Sequence, residues 1–171
     1  MTGEVPDRLY ADLTAFVPGR VLDDDANILL RYPSGAKGML WASQIAVGNE
    51  NALSLRVYGE RGGLEWHHAR VDELWFTPYG EPKRLITRAG AGAGGSANRV
   101  SRVPSGHPEG YLEGFATLYR EAADAIIAAR DGRPCDEAVM YPGIRDGIAG
   151  LAFIEAAIQS SRSGEWVSLD L

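Results

Sequence analysis

The sequence predicts an α+β domain: an open, mostly antiparallel sheet from the first half of the chain, with two main C-terminal helices on one face. Three observations carry that expectation. Apolar residues recur with period two from Leu9 to about Arg88, the period becomes helical after about residue 106, and short breakers separate the early runs. Strands grouped first and helices grouped second, with short turns between strands, point to antiparallel pairing and not to crossover units.

The strand signals come in order. Ile28, Leu30 and Tyr32 alternate with Asn27, Leu29 and Arg31; Leu53, Leu55 and Val57 alternate with Ser54, Arg56 and Tyr58. Between them GMLWASQIAV reads as one long strand, with Met39, Trp41, Ile45 and Val47 on one face and Leu40, Ala42 and Ala46 on the other. Breakers stand at Pro18-Gly19, Pro33-Ser34-Gly35, Gly48-Asn49, Gly59 to Gly63 and Pro78-Tyr79-Gly80. Both faces of the long strand are partly apolar, whereas two helices cover only one face of a sheet. The other face, with Trp41, is therefore expected to be an oligomer interface that meets a second copy of the sheet. The alternative is that Trp41 is a single large residue under a loop.

The helices follow. In HPEGYLEGFATLYREAADAIIAARDG, residues Tyr111, Phe115, Leu118, Ala122 and Ile126 fall on one stripe, widened by Leu112, Tyr119 and Ile127. Pro108 suits a first helical turn, Glu109 complements the N-terminal dipole, and Asp131-Gly132-Arg133-Pro134 ends the helix. A second helix from near Pro142 to near Gly164 uses Ile144, Ile148, Leu151, Phe153 and Ile158, and a short strand from Glu165 to Leu169 closes the chain.

Composition bounds the function classes. A chain of 171 residues is most simply a single domain, with 17 basic and 23 acidic side chains and no dense Lys/Arg cluster, which argues against nucleic-acid binding. One cysteine, Cys135, excludes an intramolecular disulfide and a cysteine zinc site. No apolar run approaches the roughly 20 residues that span a bilayer, and the N-terminus lacks a secretory pattern, so a cytoplasmic protein without membrane association is expected.

Several constellations invite chemistry. TRAGAGAGGSANR holds a G-x-G-x-x-G at Gly90, Gly92 and Gly95, but the following SANRVSRVPSGHP has no helical apolar period. The segment at about 89–99 therefore reads as a flexible Gly-rich loop that opens no helix, not as a phosphate cradle. Glu65, His67 and His68 invite a metal reading: Glu65 and His67 share a strand face, a pair that ligates zinc elsewhere, yet no third ligand is evident nearby; no metal is expected. Asp23-Asp24-Asp25 reads as a solvated turn. No nucleophile motif of the G-x-S-x-G kind is present, which leaves an unrelated hydrolase without its residues.

SQIAVGNENALSLRVYGERGGLEW, GHPEGYLEGFATLY and GLAFIEAAIQSSRSGEWVSL, in that order, resemble the C-terminal domain of the glucose–fructose oxidoreductase / inositol dehydrogenase (Gfo/Idh/MocA) family. The V-Y-G-x-x-G-x-L pattern at Val57 to Leu64 and the H-P-E-G-Y helix start carry the likeness. The resemblance implies NAD(P)-dependent oxidation of sugars, inositols or related polyols, with this domain binding substrate and forming the oligomer. It implies a substrate-binding role for His107, Glu109 and Tyr111 in the complete enzyme; the alternative has His107 as a helix cap and Tyr111 in the core. The family's N-terminal nucleotide-binding domain, its Glu-Lys-Pro motif and its Asp-x-x-x-His are not matched; Glu81-Pro82-Lys83 has those residues in another order on a turn. No catalytic or cofactor-binding residue is therefore assigned, and the chain alone is expected to be catalytically incomplete, with NAD or NADP and the nucleotide-binding domain as its partners. A stand-alone, non-enzymatic dimerisation or small-ligand-binding module of the same fold is the alternative.

Overall fold

In the computed structural model, which describes residues 3–169, the chain separates into two compact units, Met1–Gly48 with Pro142–Leu171, and Asn49–Tyr141. The α+β class, the antiparallel pairing and the two long C-terminal helices are those predicted. The strands, however, divide between two four-stranded sheets, one in each unit.

The first unit holds β1 (Arg8–Thr14), β2 (Asp25–Arg31), β3 (Lys37–Ser43), the helix here called α3 (Ile144–Ser163) and β8 (Val167–Ser168), in the sheet order β3-β2-β1-β8. Period two is obeyed. Leu9, Ala11, Ile28 and Leu30 point to one side and bury against Ala156 and Ala157 of α3, with Phe153 packed beside them. β8 pairs only with Arg8 and Leu9, so the N–H groups of Ala11 and Leu13 lie beyond its end. Ser160 Oγ accepts from Ala11 at 2.9 Å and Ser161 Oγ from Leu13 at 3.0 Å, so two helix hydroxyls finish a strand edge that would otherwise be bare.

Three expectations are corrected in this unit. The long strand ends at Ser43, because Ser43 Oγ accepts from Ile45 N–H and Val47 N–H turns back to Ile45 O, a local geometry that competes with the ladder. Asp24 is buried, not solvated: it accepts from the N–H groups of Phe16 and Val17 at 2.8 and 3.0 Å and from Arg20 at 3.2 Å. The Phe16 N–H bond, more than any other group, holds its carboxyl below the usual range. On α3, Ile144, Ile148 and Leu151 are exposed, since the helix uses its opposite stripe, Phe153, Ala156, Ala157 and Ser160, against the sheet.

The pairing Tyr10↔Leu29↔Met39 and Asn27↔Trp41 puts these side chains on the face of the sheet away from Leu9 and Ile28. Met39 is 74% and Trp41 57% exposed there. Trp41 Nε1 donates to Asp25 Oδ1 at 3.0 Å, and the Tyr10 and Trp166 rings meet at 5.8 Å.

The second unit holds β4 (Ser54–Gly59), β5 (Gly62–His67), a 3-10 turn (His68–Arg70), β6 (Glu73–Pro78), β7 (Arg84–Thr87), α1 (Gly95–Val100) and α2 (Tyr111–Arg130). Its sheet runs β4-β5-β6-β7, every pair antiparallel. The β4–β5 turn needs Gly62: φ is 153° and a Cβ would stand 2.4 Å from Thr77 O.

Here too the sequence expectations need revision. The glycines do open a helix, the six residues of α1, whose first turn closes from the Asn98 N–H to the Gly94 carbonyl at 3.0 Å. α2 starts at Tyr111, not Pro108; Glu113 reaches back to the Gly110 N–H at 2.8 Å, and that bond first of all lowers the Glu113 pKa. α2 also turns its apolar stripe outward: Tyr111, Phe115, Leu118 and Ile126 are exposed, and Glu121 and Ala128 are buried. Glu121 is satisfied there by Arg99 of α1 at 2.7 Å and by the Met140 N–H at 2.7 Å. Those donors, Arg99 foremost, hold the Glu121 carboxyl below its usual range.

Candidate substrate-binding site

The three residues singled out from the sequence lie at the start of α2, and they do three different things. His107 is exposed; its Nδ1 lies 3.3 Å from Pro104 O, and its own carbonyl accepts from Arg88 Nη2 at 2.6 Å. Glu109 is buried, and both its oxygens are engaged. They accept from the Arg102 N–H at 2.9 Å each and from the Val103 N–H at 3.2 Å, with Arg88 Nη1 at 2.8 Å. Tyr111 is 59% exposed, with its ring 5.1 Å from Phe115 and 6.0 Å from His68.

Arg88, at the end of β7, joins these parts. Its guanidinium meets Asp72 at 2.6 Å, Glu109 at 2.8 Å and the carbonyls of Val103 and His107. One planar five-donor group thereby ties the sheet to the loop that carries His107. Nothing local in the sequence signals this. The relevant cue is an Arg that follows an apolar strand end, a common pattern with little specificity.

Gly110 sets how close α2 comes to the 3-10 turn. A Cβ there would stand 2.7 Å from Val71 Cγ2, so any side chain at this position forces Val71 or its element to shift. The rings of Trp66, His68, Tyr111 and Phe115 form a continuous row as a result, with centroid spacings of 6.1, 6.0 and 5.1 Å. His68, which the sequence groups with Glu65 and His67, belongs to this row instead.

Glu65 and His67 do meet, at 2.9 Å, but Glu65 Oε2 is taken by Lys83 Nζ at 2.7 Å. The Lys83 ammonium and then the His67 ring pull the Glu65 pKa down to about 2. A carboxylate neutralised by lysine makes a poor metal ligand, and among the described residues no three His, Cys, Asp or Glu side chains are arranged to hold a metal ion. Lys83, from the Glu81-Pro82-Lys83 turn, also sits 4.9 Å over Trp75. A shallow cavity of about 350 Å³ opens nearby over Gly63, Tyr58 and Trp75 of the same sheet and Tyr79 of the turn after β6. It does not include His107, Glu109 or Tyr111.

The glycine segment fails the geometric test for a dinucleotide. β7 before it pairs antiparallel with β6, and α1 after it is six residues long, so no βαβ unit surrounds Gly90, Gly92 and Gly95.

Antiparallel sheets with long helices, a polar loop clamped by Arg88 and Glu109 and an aromatic row at a helix start define an α+β domain of the kind the comparisons also find. The chain belongs to the Gfo/Idh/MocA oxidoreductases: residues 4–169 match the family described as the oxidoreductase family, C-terminal alpha/beta domain. It is 32% identical over 162 residues to the uncharacterized oxidoreductase YfiI of Bacillus subtilis (strain 168), covering 93% of this chain and 41% of that protein. An oxidoreductase from Sinorhizobium meliloti matches with a TM-score of 0.91 and 55% identity over 96% of this chain and 47% of its own. An inositol dehydrogenase homolog from Azotobacter vinelandii, complexed with NADH and myo-inositol, matches with a TM-score of 0.90 and 32% identity over 97% of this chain and 45% of its own. The chain thus spans less than half the length of these relatives. No helix among the described residues is long and apolar enough to cross a membrane.

Proposed function

We propose that the chain is the substrate-binding and assembly part of an NAD(P)-dependent sugar or polyol oxidoreductase and is catalytically incomplete alone. The observation that carries this is the start of α2, where Arg88 and Glu109 clamp the loop of His107 beside the exposed Tyr111 ring. An exposed aromatic face beside a polar side chain suits a ring that is apolar on its C–H faces and polar at its rim. In this reading His107 and Tyr111 face the substrate. Glu109, whose oxygens are fully used, positions them.

The nicotinamide cofactor supplies hydride transfer and is held outside this chain, by the nucleotide-binding half. The antiparallel setting of the glycine segment supports that division, as do the Azotobacter relative bound to NADH and myo-inositol and the uncovered half of each relative. Exposed Ile144, Ile148 and Leu151 on α3 give such a half an apolar surface to cover. The row Tyr10, Leu29 and Met39, with Trp41, is the surface through which two copies pair.

The test is a coupled assay. With NAD or NADP and myo-inositol or an aldose, the chain alone produces no reduced cofactor. Supplementing it with the portion of the Azotobacter relative that it does not cover restores turnover, and His107→Ala lowers that turnover or raises KM whereas His67→Ala leaves it unchanged. Reduced cofactor formed by the 171-residue chain alone would overturn the proposal.

A further inference from the structure

The three histidines differ in what their rings already do. His67 Nε2 is spent on Glu65 at 2.9 Å, and His107 Nδ1 faces Pro104 O at 3.3 Å. The His68 ring stands between those of Trp66 at 6.1 Å and Tyr111 at 6.0 Å, and neither of its nitrogens has a hydrogen-bond partner among the described residues. It is nevertheless firmly held. Its backbone N–H donates to Leu53 O at 2.8 Å, and Trp66 is fixed by its Nε1–H to Val71 O at 3.1 Å. Gly110 brings Tyr111 up on the other side, against Val71. A half-buried imidazole on an anchored backbone, flanked by two rings and with its polar atoms unused, is placed to meet a ligand.

We infer that His68 is a ligand-contacting residue of the polyol site: its imidazole hydrogen-bonds a hydroxyl of a sugar or cyclitol whose C–H face lies on Tyr111. The chemistry fits because a neutral imidazole offers one N–H and one lone pair, the same pairing a hydroxyl can both accept and donate. The assignment rests on the proposed substrate role of Tyr111 and adds a residue from a different element, the 3-10 turn after β5. It also accounts for Gly110, whose missing side chain is what lets the two rings meet.

The test separates a binding role from a stacking role. His68→Phe keeps the aromatic row and removes both nitrogens; His68→Gln keeps a donor and an acceptor. With myo-inositol as the probe and binding followed by calorimetry or saturation-transfer NMR, His68→Phe melts like wild type but binds about five- to tenfold more weakly, the loss of one net hydrogen bond. His68→Gln recovers part of that loss. In the wild-type chain the His68 ring resonances shift on saturation while those of His67 stay, a readout independent of whether the variants fold. Unchanged affinity in His68→Phe, with Tyr111→Ala abolishing binding, would overturn the His68 assignment and leave the Tyr111 site standing. No saturable binding of myo-inositol or D-glucose by the wild-type chain would remove both.

Discussion

Arg88 and Glu109 face each other at 2.8 Å, their side chains 15% and 5% exposed, and between them they hold the segment 102–109 to the second sheet. Because Glu109 also accepts two backbone N–H groups, removing it leaves both those donors and a guanidinium short of partners. Glu109→Ala therefore costs on the order of 2–4 kcal/mol, more than a surface ion pair. Hydrogen exchange reports the location: protection falls across residues 102–109, while β1 and β2 keep theirs. Uniform loss across both units, or none, would contradict the clamp.

The Glu65–Lys83 pair makes a statement about pH. Glu65 titrates at about 2 in the folded chain against an ordinary 4.5, chiefly through the Lys83 bond. A folded pKa below the unfolded one adds stability that is fully present above about 4.5 and is lost as pH falls toward 2. Lys83→Met removes the main cause. Melting curves of the two proteins should differ at neutral pH and converge as pH approaches 2; a constant gap would show that Lys83 acts through Trp75 packing instead.

What the sequence disclosed and what it hid divide along locality. The alternation at Ile28 and Leu30 is a property of neighbours, so the buried face of β2 was readable. The division into two sheets depends on which strand pairs with which, and strong period-two patterns are compatible with either arrangement. α2 misled because an apolar stripe usually marks the buried side, yet here a buried Glu121 finds Arg99 and the Met140 N–H, partners far away in sequence. The site shows the same limit. The H-P-E-G-Y start pointed to His107, Glu109 and Tyr111, but Arg88 and His68 enter only through tertiary contacts with that start.

Gly110 provides a check on the approach of α2 to the 3-10 turn. Gly110→Ala places a methyl 2.7 Å from Val71 Cγ2, a clash relieved only by moving one element. Overpacking of this kind costs about 1–3 kcal/mol. Val71→Ala in the same chain opens the space, so the double variant should regain most of the lost stability. Non-additivity of that sign in thermal melts identifies the contact; simple additivity would rule it out.

The open face of the first sheet bears on assembly. Met39 stands 74% exposed in a row with Leu29 and Tyr10, beside Trp41 at 57%. Two copies packed face to face through this row would bury all four side chains and cover the edge strand β3. A charge at its centre opposes that burial without disturbing the Leu9–Ile28 core on the opposite side. Trp41→Glu would set a carboxylate beside Asp25, which Trp41 Nε1 contacts at 3.0 Å, and so confuses folding with assembly. Met39→Glu avoids this, because Met39 pairs with Leu29 and its diagonal neighbours on β2 are Asn27 and Arg31, with no carboxylate among them. In sedimentation velocity at micromolar concentration the wild-type chain should run as a dimer or larger, and Met39→Glu should run as a monomer with an unchanged circular dichroism spectrum. A wild-type chain that sediments as a monomer under those conditions would show that this face is not where copies meet.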